Sequence, residues 1–273
     1  MPTSSFEQQK LKNAMIKAVV FDLDGTIVSH DTGTYSAATA SAFASLREKG
    51  IFLIAATGRS PYELQVTKMI DGLPLDAIVS LNGQYCYTEE EDLYVNPFPA
   101  ALVKRILGMA ALYGFPCAVI EKEGTFINFA TPFVRQAQDD IHMPVPEFRD
   151  FSGINKNGVL MLTVFVPEKD EKAFIQSMDS VSITRWNTNA VDIVPASSGK
   201  VRGIDVVLQR LGIGWKEVFA FGDGDNDYDM LKKAGKGFAM KDSSIRLLNG
   251  EFEVADSVDK DGVVKMLRKY SII

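Results

Sequence analysis

The feature that most restricts the fold of this sequence is an alternation of short apolar, β-branched runs with segments of helical spacing. Lys17-Ala18-Val19-Val20-Phe21 is apolar after its first residue, the pattern of a strand buried on both faces of a sheet. Tyr35 to Lys49 then carries Ala38, Ala42, Phe43 and Leu46 at helical intervals, with Thr34 in position to cap and Gly50 to stop the helix. Ile51 to Ala56 is a second buried strand, and Ser60-Pro61 opens a helix running to about Ile70. Ala77 to Ser80 completes a β-α-β-α-β order, which implies a parallel sheet with right-handed crossovers.

After Asn82-Gly83 the pattern changes. Tyr85 to Thr88 and Leu93 to Val95 form a predicted hairpin across the acidic turn Glu89 to Asp92, followed by a helix from Pro99 to Tyr113. A second hairpin pairs Cys117 to Glu121 with Thr125 to Phe129. A helix from Pro132, a proline-rich loop, a strand Val159 to Val166, a helix Glu168 to Met178 and strands Ser182 to Trp186 and Ala190 to Val194 follow. Hairpins mixed with helices predict an α+β module. From Lys200 the alternation returns, with helix Val201 to Leu211, strand Val218 to Phe221, helix Tyr228 to Ala234 and strand Gly237 to Met240. The expected organisation is an α/β, Rossmann-like core of residues 1–83 and 191–273, interrupted by an α+β module over residues 84–190.

Composition narrows the function classes. A chain of 273 residues with 46% hydrophobic types can bury a substantial core, and a net charge of -6 argues against general nucleic-acid binding. Apolar runs such as Ile51 to Ala56 and Val159 to Val166 fall well short of the ~20 residues of a membrane-spanning helix. Met1 to Met15, with Glu7, Gln8, Gln9, Lys10 and Lys12, lacks the apolar stretch of a secretory signal and reads as a frayed or weakly helical extension. Cys86 and Cys117 form no CxxC pair, which fits a cytoplasmic protein, and His30 and His142 add too few donors for structural zinc.

The chemistry concentrates at predicted strand ends. The first strand runs into Asp22-Leu23-Asp24-Gly25-Thr26, placing two carboxylates on one side of extended chain at the carboxyl edge of a parallel sheet, where open α/β sheets bind ligands. A later strand runs into Gly222-Asp223-Gly224-Asp225-Asn226-Asp227-Tyr228-Asp229, so two acidic loops share an edge and suit a hard cation such as magnesium. A calcium EF-hand matches Asp223, Asp225 and Asp227, but fails at the sixth position, Tyr228 instead of glycine, and the twelfth, Ala234 instead of glutamate. Thr57-Gly58-Arg59 ends the second strand, and Ser198-Gly199-Lys200 precedes the returning helix. They offer a hydroxyl, backbone amides and an ammonium, all of which a phosphate dianion needs.

Taken together, Asp22-Leu23-Asp24-Gly25-Thr26, Thr57-Gly58-Arg59, Lys200 and Gly222 to Asp227 resemble the motifs of the haloacid dehalogenase (HAD) superfamily, specifically its Cof-type phosphatases with an inserted α/β cap (subclass IIB). The likeness spans about residues 17 to 269. It implies Asp22 as nucleophile and Asp24 as general acid and base. It places Thr57 and Lys200, with Gly58, Arg59, Asn82 and Asn226, on phosphate or substrate, and Asp22, Asp24, Asp223 and Asp227 around Mg2+. One departure is visible: Met240 is followed by Lys241-Asp242-Ser243, where the family commonly has a glycine-asparagine-alanine turn. The implied activity is hydrolysis of a small phosphorylated metabolite, a sugar phosphate above all, through an aspartyl phosphate, with no nucleic acid or membrane as partner. Candidates for selectivity are Arg59 and Asn82 together with Asn128, Trp186 and Asn187 in the cap. Two alternatives remain: a phosphosugar mutase, and a metabolite-binding regulator that has lost catalysis, although Asp22, Asp24, Asp223 and Asp227 are all present.

Overall fold

The structure is a computed structural model that describes residues 15–154, 158–175 and 178–273. The expected N-terminal extension therefore lies outside the described residues but for Met15, as do residues 176–177 of the helix expected over Glu168 to Met178. The chain opens with β1 (Ala18–Phe21), α1 (Ala37–Glu48), β2 (Phe52–Ala56), α2 (Pro61–Thr67) and β3 (Ala77–Ser80), the five elements that the alternation predicts. Then come β4 (Tyr85–Tyr87), β5 (Asp92–Val95), α3 (Ala100–Tyr113), β6 (Cys117–Glu121), β7 (Gly124–Ile127), α4 (Pro132–Asp140) and β8 (Glu147–Phe148). β9 (Met161–Val164), α5 (Glu168–Ile175), β10 (Val181–Asn187) and β11 (Ala190–Pro195) follow. The last elements are α6 (Lys200–Leu211), β12 (Val218–Gly222), α7 (Tyr228–Lys233), β13 (Lys236–Ala239), β14 (Glu253–Val254) and α8 (Gly262–Lys269). β8 and β14 were not expected, because two residues are too few to display a period.

Helix starts follow local capping chemistry. Ser60 and Glu63 form a capping box at α2, with the Ser60 Oγ accepting from Glu63 N at 3.2 Å and the Glu63 Oε2 accepting from Ser60 N at 2.7 Å. At α1 the cap is Ser36, not the expected Thr34: its Oγ accepts from Thr39 N at 3.1 Å and donates to Asp261 Oδ1 at 2.6 Å. Both residues have cap-forming side chains, and the bond to Asp261, distant in sequence, accompanies the choice of Ser36. Among the described residues no helix is long and apolar enough to cross a membrane.

The chain divides into two compact units. Of the described residues, the first comprises 15–56, 70–78 and 204–273. Its parallel sheet centres on β1, which pairs with β2 on one side and β12 on the other, while β13 and β14 continue beyond β12. Every residue of β1 and β12 is buried, as the unbroken apolar runs require. Phe21 stacks on Phe43 from α1 at 4.6 Å between centroids and on Phe221 from β12 at 5.7 Å, locking helix and strands in register beside the loops that leave the sheet.

The second unit comprises residues 57–69 and 79–203. It contains the antiparallel hairpin β4–β5 and a six-stranded sheet in the order β10-β11-β9-β6-β7-β8, antiparallel except between β7 and β8. Alternate residues of this sheet build two cores. Val119, Leu162, Val164, Val191 and Ile193 pack with Val103, Ile106 and Phe174 of α3 and α5. Ala118, Ile120, Met161, Ala190 and Val194 pack with Val134 and Ala137 of α4.

One ion network in the first unit makes stability pH-dependent. Glu253 of β14 accepts from Lys269 Nζ at 2.7 Å, from the Tyr270 hydroxyl, and from Lys236 Nζ of β13 at 3.0 Å. Burial alone would raise this carboxyl, but the bonds from Lys269, Tyr270 and Lys236 outweigh it and hold it at about 2. A depressed carboxylate contributes stability that is complete above its unfolded value and is lost as pH falls through its folded one. The loss should therefore occur between 4.5 and about 2, and, with solvent screening of these surface-near pairs, amount to about 1–2 kcal/mol. Urea unfolding at a series of pH values should show a midpoint that drops across this window. Glu253→Gln should be less stable at neutral pH and show a shallower decline in acid.

Candidate active site

Asp22 continues the ladder one residue past β1, donating its N–H to Phe221 O at 2.9 Å. The chain then turns tightly: the N–H groups of Thr26, Ile27 and Val28 all donate to the Leu23 carbonyl, at 3.2, 3.0 and 2.9 Å, while the Leu23 side chain is buried. Gly25 permits this turn. Its φ is +76°, and a Cβ there would lie 2.4 Å from Asp223 Oδ2, so a side chain would collide with the second acidic loop as well as strain the backbone.

Carboxylate oxygens of Asp22, Asp223 and Asp227 all lie within 4.8 Å of one another. Asp22 and Asp227 are buried and Asp223 is half-buried. The loop's own backbone orients Asp227, whose Oδ2 accepts from the N–H groups of Asp223 and Gly224 at 3.0 Å each, and Thr26 Oγ1 donates to Asp223 Oδ1 at 3.3 Å. At this separation carboxylates repel by on the order of 3 kcal/mol per pair at an effective dielectric near 20. Such a set suits a hard divalent cation, which would convert repulsion into attraction and prefers carboxylate oxygens. Asp24, the fourth expected ligand, is not a member of this convergent group.

The second unit holds another expected cluster. Thr57 N donates to Val79 O at 2.8 Å, Asn82 N to Thr57 O at 3.0 Å, and Arg59 N to Thr57 Oγ1 at 3.1 Å. The Asn82 amide lies over Gly58, where a Cβ would meet its Nδ2 at 3.3 Å. Asn82 is itself left-handed, at φ 52°. Gly83 has φ +89°, and a Cβ there would lie 2.2 Å from the Gly199 carbonyl, so only glycine lets the Asn82 turn abut the start of α6. Lys200 is the first residue of that helix and is buried. Thus Thr57, Gly58 and Asn82, scattered in sequence, pack together, the Gly83 turn abuts the Gly199 carbonyl just before Lys200, and Ser80 Oγ donates to the Arg59 carbonyl at 2.6 Å.

The selectivity candidates Asn128, Asn187 and Trp186 each have partners within the fold. Asn128 Oδ1 accepts from Cys117 N and Phe129 N, both at 2.9 Å, and so fastens β6 to the end of β7. Asn187 accepts from Asn189 N at 2.9 Å and donates to Asp140 Oδ2 at 2.8 Å, shaping the turn between β10 and β11. Trp186 donates from Nε1 to Asp192 Oδ1 at 2.9 Å. Burial pushes the Cys86 thiol up to about 12 and raises Cys117 as well, which disfavours a thiolate at either.

Three further groups support the fold around these loops and the second unit's sheet. In the Met240 segment, Met240 N and Ser243 Oγ donate to Gly222 O at 3.0 and 3.5 Å, and Ser244 N donates to Asp223 O at 2.8 Å. These hydroxyl-bearing residues buttress the aspartate loop. Thr26 adds the Oγ1 bond to Asp223 across the two acidic loops. Asp192 puts a charge at the centre of the apolar strand Ala190-Val191-Asp192-Ile193-Val194, a break visible in the sequence.

Acidic loops leaving one edge of an open parallel sheet, accompanied by a second α+β unit, define the class as an α/β protein of the kind that binds ligands at strand-end loops. A sequence model of haloacid dehalogenase-like hydrolases matches residues 19–267, and the chain belongs to that family. It is similar to the Bacillus subtilis protein YkrA, 28% identical over 258 residues that make up 94% of this chain and 98% of YkrA. The solved structure of BT1666 from Bacteroides thetaiotaomicron, studied among phosphatases of the HAD superfamily, superposes with a TM-score of 0.86 at 29% identity, covering 100% of this chain and 98% of that one. That of the HAD subclass IIB sugar phosphatase BT4131 superposes with a TM-score of 0.84 at 30% identity, covering 94% and 100%.

Gly25→Ala tests the carboxylate arrangement. The protein should still fold, with a loss of about 1–2 kcal/mol from the positive φ. Its affinity for Mg2+, measured by titration calorimetry, should fall at least tenfold as Asp223 is displaced.

Proposed function

We propose that this protein is a magnesium-dependent phosphomonoesterase acting on a small phosphorylated metabolite, with sugar phosphates as the substrate class. The observation that carries the reading is the convergence of Asp22, Asp223 and Asp227 on one point at the sheet edge. Relatives favour it too: BT4131 is named a sugar phosphatase, and a Citrobacter koseri protein 27% identical over 253 residues is named HMP-PP phosphatase.

In this mechanism an Asp22 carboxylate oxygen attacks phosphorus, forming an aspartyl phosphate as the bond from phosphorus to the leaving oxygen breaks. Asp24 gives its proton to that oxygen. It then takes a proton from water as the water attacks the aspartyl phosphate, releasing inorganic phosphate and regenerating Asp22. Thr57 and Lys200 hold the phosphoryl oxygens, with Gly58, Arg59, Asn82 and Asn226 completing substrate binding. The buried ammonium of Lys200 offsets negative charge that builds on the transferring group. Mg2+ at Asp22, Asp223 and Asp227 would screen the dianion from the attacking carboxylate. Residues 84–190 serve as the specificity module, and the chemistry stays with residues outside it.

Asp22→Asn keeps size and most hydrogen bonding but removes the attacking charge, so turnover should fall about a thousandfold or more. Retention of over a tenth of the activity would remove Asp22 from the role. Exhaustive chelation should abolish hydrolysis and added Mg2+ should restore it, while Ca2+ should inhibit because its longer bonds and higher coordination number loosen the attack geometry. A panel of phosphorylated metabolites, with free phosphate and positional isomers both measured, separates a phosphatase from a mutase.

A further inference from the structure

Asp192 occupies the middle of β11, between Val191 and Ile193, which face the core under α3 and α5. Ala190 and Val194, two residues to either side, belong to the opposite core, and strand alternation puts Asp192 on their face. Pairing register aligns Thr184, Asp192, Thr163 and Ala118 in a row across four strands. Asp192 Oδ1 accepts from Thr163 Oγ1 at 2.7 Å and from Trp186 Nε1 at 2.9 Å. Among the described residues, no hydrogen bond reaches Oδ2. The side chain is thus held by one oxygen with the other left to serve.

Burial pushes the Asp192 carboxyl up to about 7, with the charge of Glu63 adding to it against the lowering bonds from Thr163 and Trp186. Geometry locates Asp192 as well: Leu81, the residue just before Asn82, lies in one core with Ala118, Ala190 and Val194, and Trp186 packs against it, so the face that carries Asp192 is the one that meets the Asn82 turn. Folding alone does not call for an acid here. An apolar residue would complete the surface of Ala118, Ile120 and Val194, whereas a carboxylate on such a face carries a desolvation cost.

Building on the phosphatase reading above, we propose that Asp192 determines specificity by accepting hydrogen bonds, through Oδ2, from hydroxyls of a polyhydroxylated leaving group whose phosphate is held at Thr57 and Lys200. A carboxylate oxygen accepts from one or two adjacent hydroxyls but gives an aryl group nothing. Thr163 and Trp186 are positioning residues that fix the free oxygen's direction.

The test compares wild type with Asp192→Asn and Asp192→Ala, each checked for a cooperative thermal transition. Substrates are hexose and pentose phosphates, their deoxy analogues, and an aryl phosphate without hydroxyls. For the best hydroxylated substrate kcat/KM should fall tenfold to a hundredfold, chiefly through KM, with aryl phosphate hydrolysis changed less than twofold. One deoxy analogue should be indifferent to the substitution. In wild type, KM for the sugar phosphate relative to the aryl phosphate should rise as pH falls through about 7, and this inflection should vanish in Asp192→Asn. Should Asp192→Ala fail to fold, Asp192→Asn, the closest isostere, carries the comparison. Unchanged hydroxylated-substrate kinetics, or a parallel loss for both substrate classes, would overturn the proposal. Absence of hydrolysis by wild type would instead overturn the phosphatase reading. Calorimetric binding of the same hexose phosphates would then decide the Asp192 assignment: weaker binding by the variants supports it, and equal or absent binding rejects it.

Discussion

Mutual repulsion among Asp22, Asp223 and Asp227 is the constraint around which the first unit is arranged. Three carboxylates, two of them buried, lie within 4.8 Å of one another, a configuration that a flexible loop would relax by moving apart. The parallel pairing of β1 with β12 prevents this, because Phe21 aligns with Phe221 and both acidic loops depart from adjacent strand ends. Backbone N–H groups of the second loop hold Asp227, Thr26 ties the loops together, and the Met240 to Ser244 segment supports them from behind. Rigidity here is what keeps the three carboxylates together, an arrangement that suits a hard cation.

A different problem is solved in the second unit, where Lys200 must be buried. The Gly83 backbone comes so close to Gly199 that no side chain fits. Backbone bonds between Thr57 and the Val79 and Asn82 peptides then set the loop after β2 against the same turn. Close backbone packing, not side-chain bulk, assembles the phosphate-binding candidates, which explains glycine and left-handed asparagine where a longer side chain would hold the elements apart.

Two carboxylates illustrate how environment sets function. Glu253 meets two ammonium groups and a phenol, which hold it ionised and let it contribute to stability. Asp192 meets only a hydroxyl and an indole on a largely apolar face, so burial prevails and its carboxyl rises to about 7. The first is costly to protonate. The second is costly to keep charged on the sheet of the second unit.

Sequence alone determined the parallel core, because strands buried on both faces must be continuously apolar and their connecting helices carry caps. It determined the donor types as well, since aspartates at successive strand ends point to one edge whatever the details. Local signals could not choose between Thr34 and Ser36 as the cap of α1, because both have the chemistry and Ser36 alone is bonded to Asp261, far along the chain. Nor could they separate Asp24 from the convergent trio, reveal that Ser243 and Ser244 buttress a distant loop, or find the two-residue strands β8 and β14. Asn128 and Asn187, candidates for selectivity, also bond within turns, a use for which an asparagine amide is equally suited. These distinctions depend on contacts between residues remote in sequence, and only the tertiary structure brings those groups within hydrogen-bonding distance.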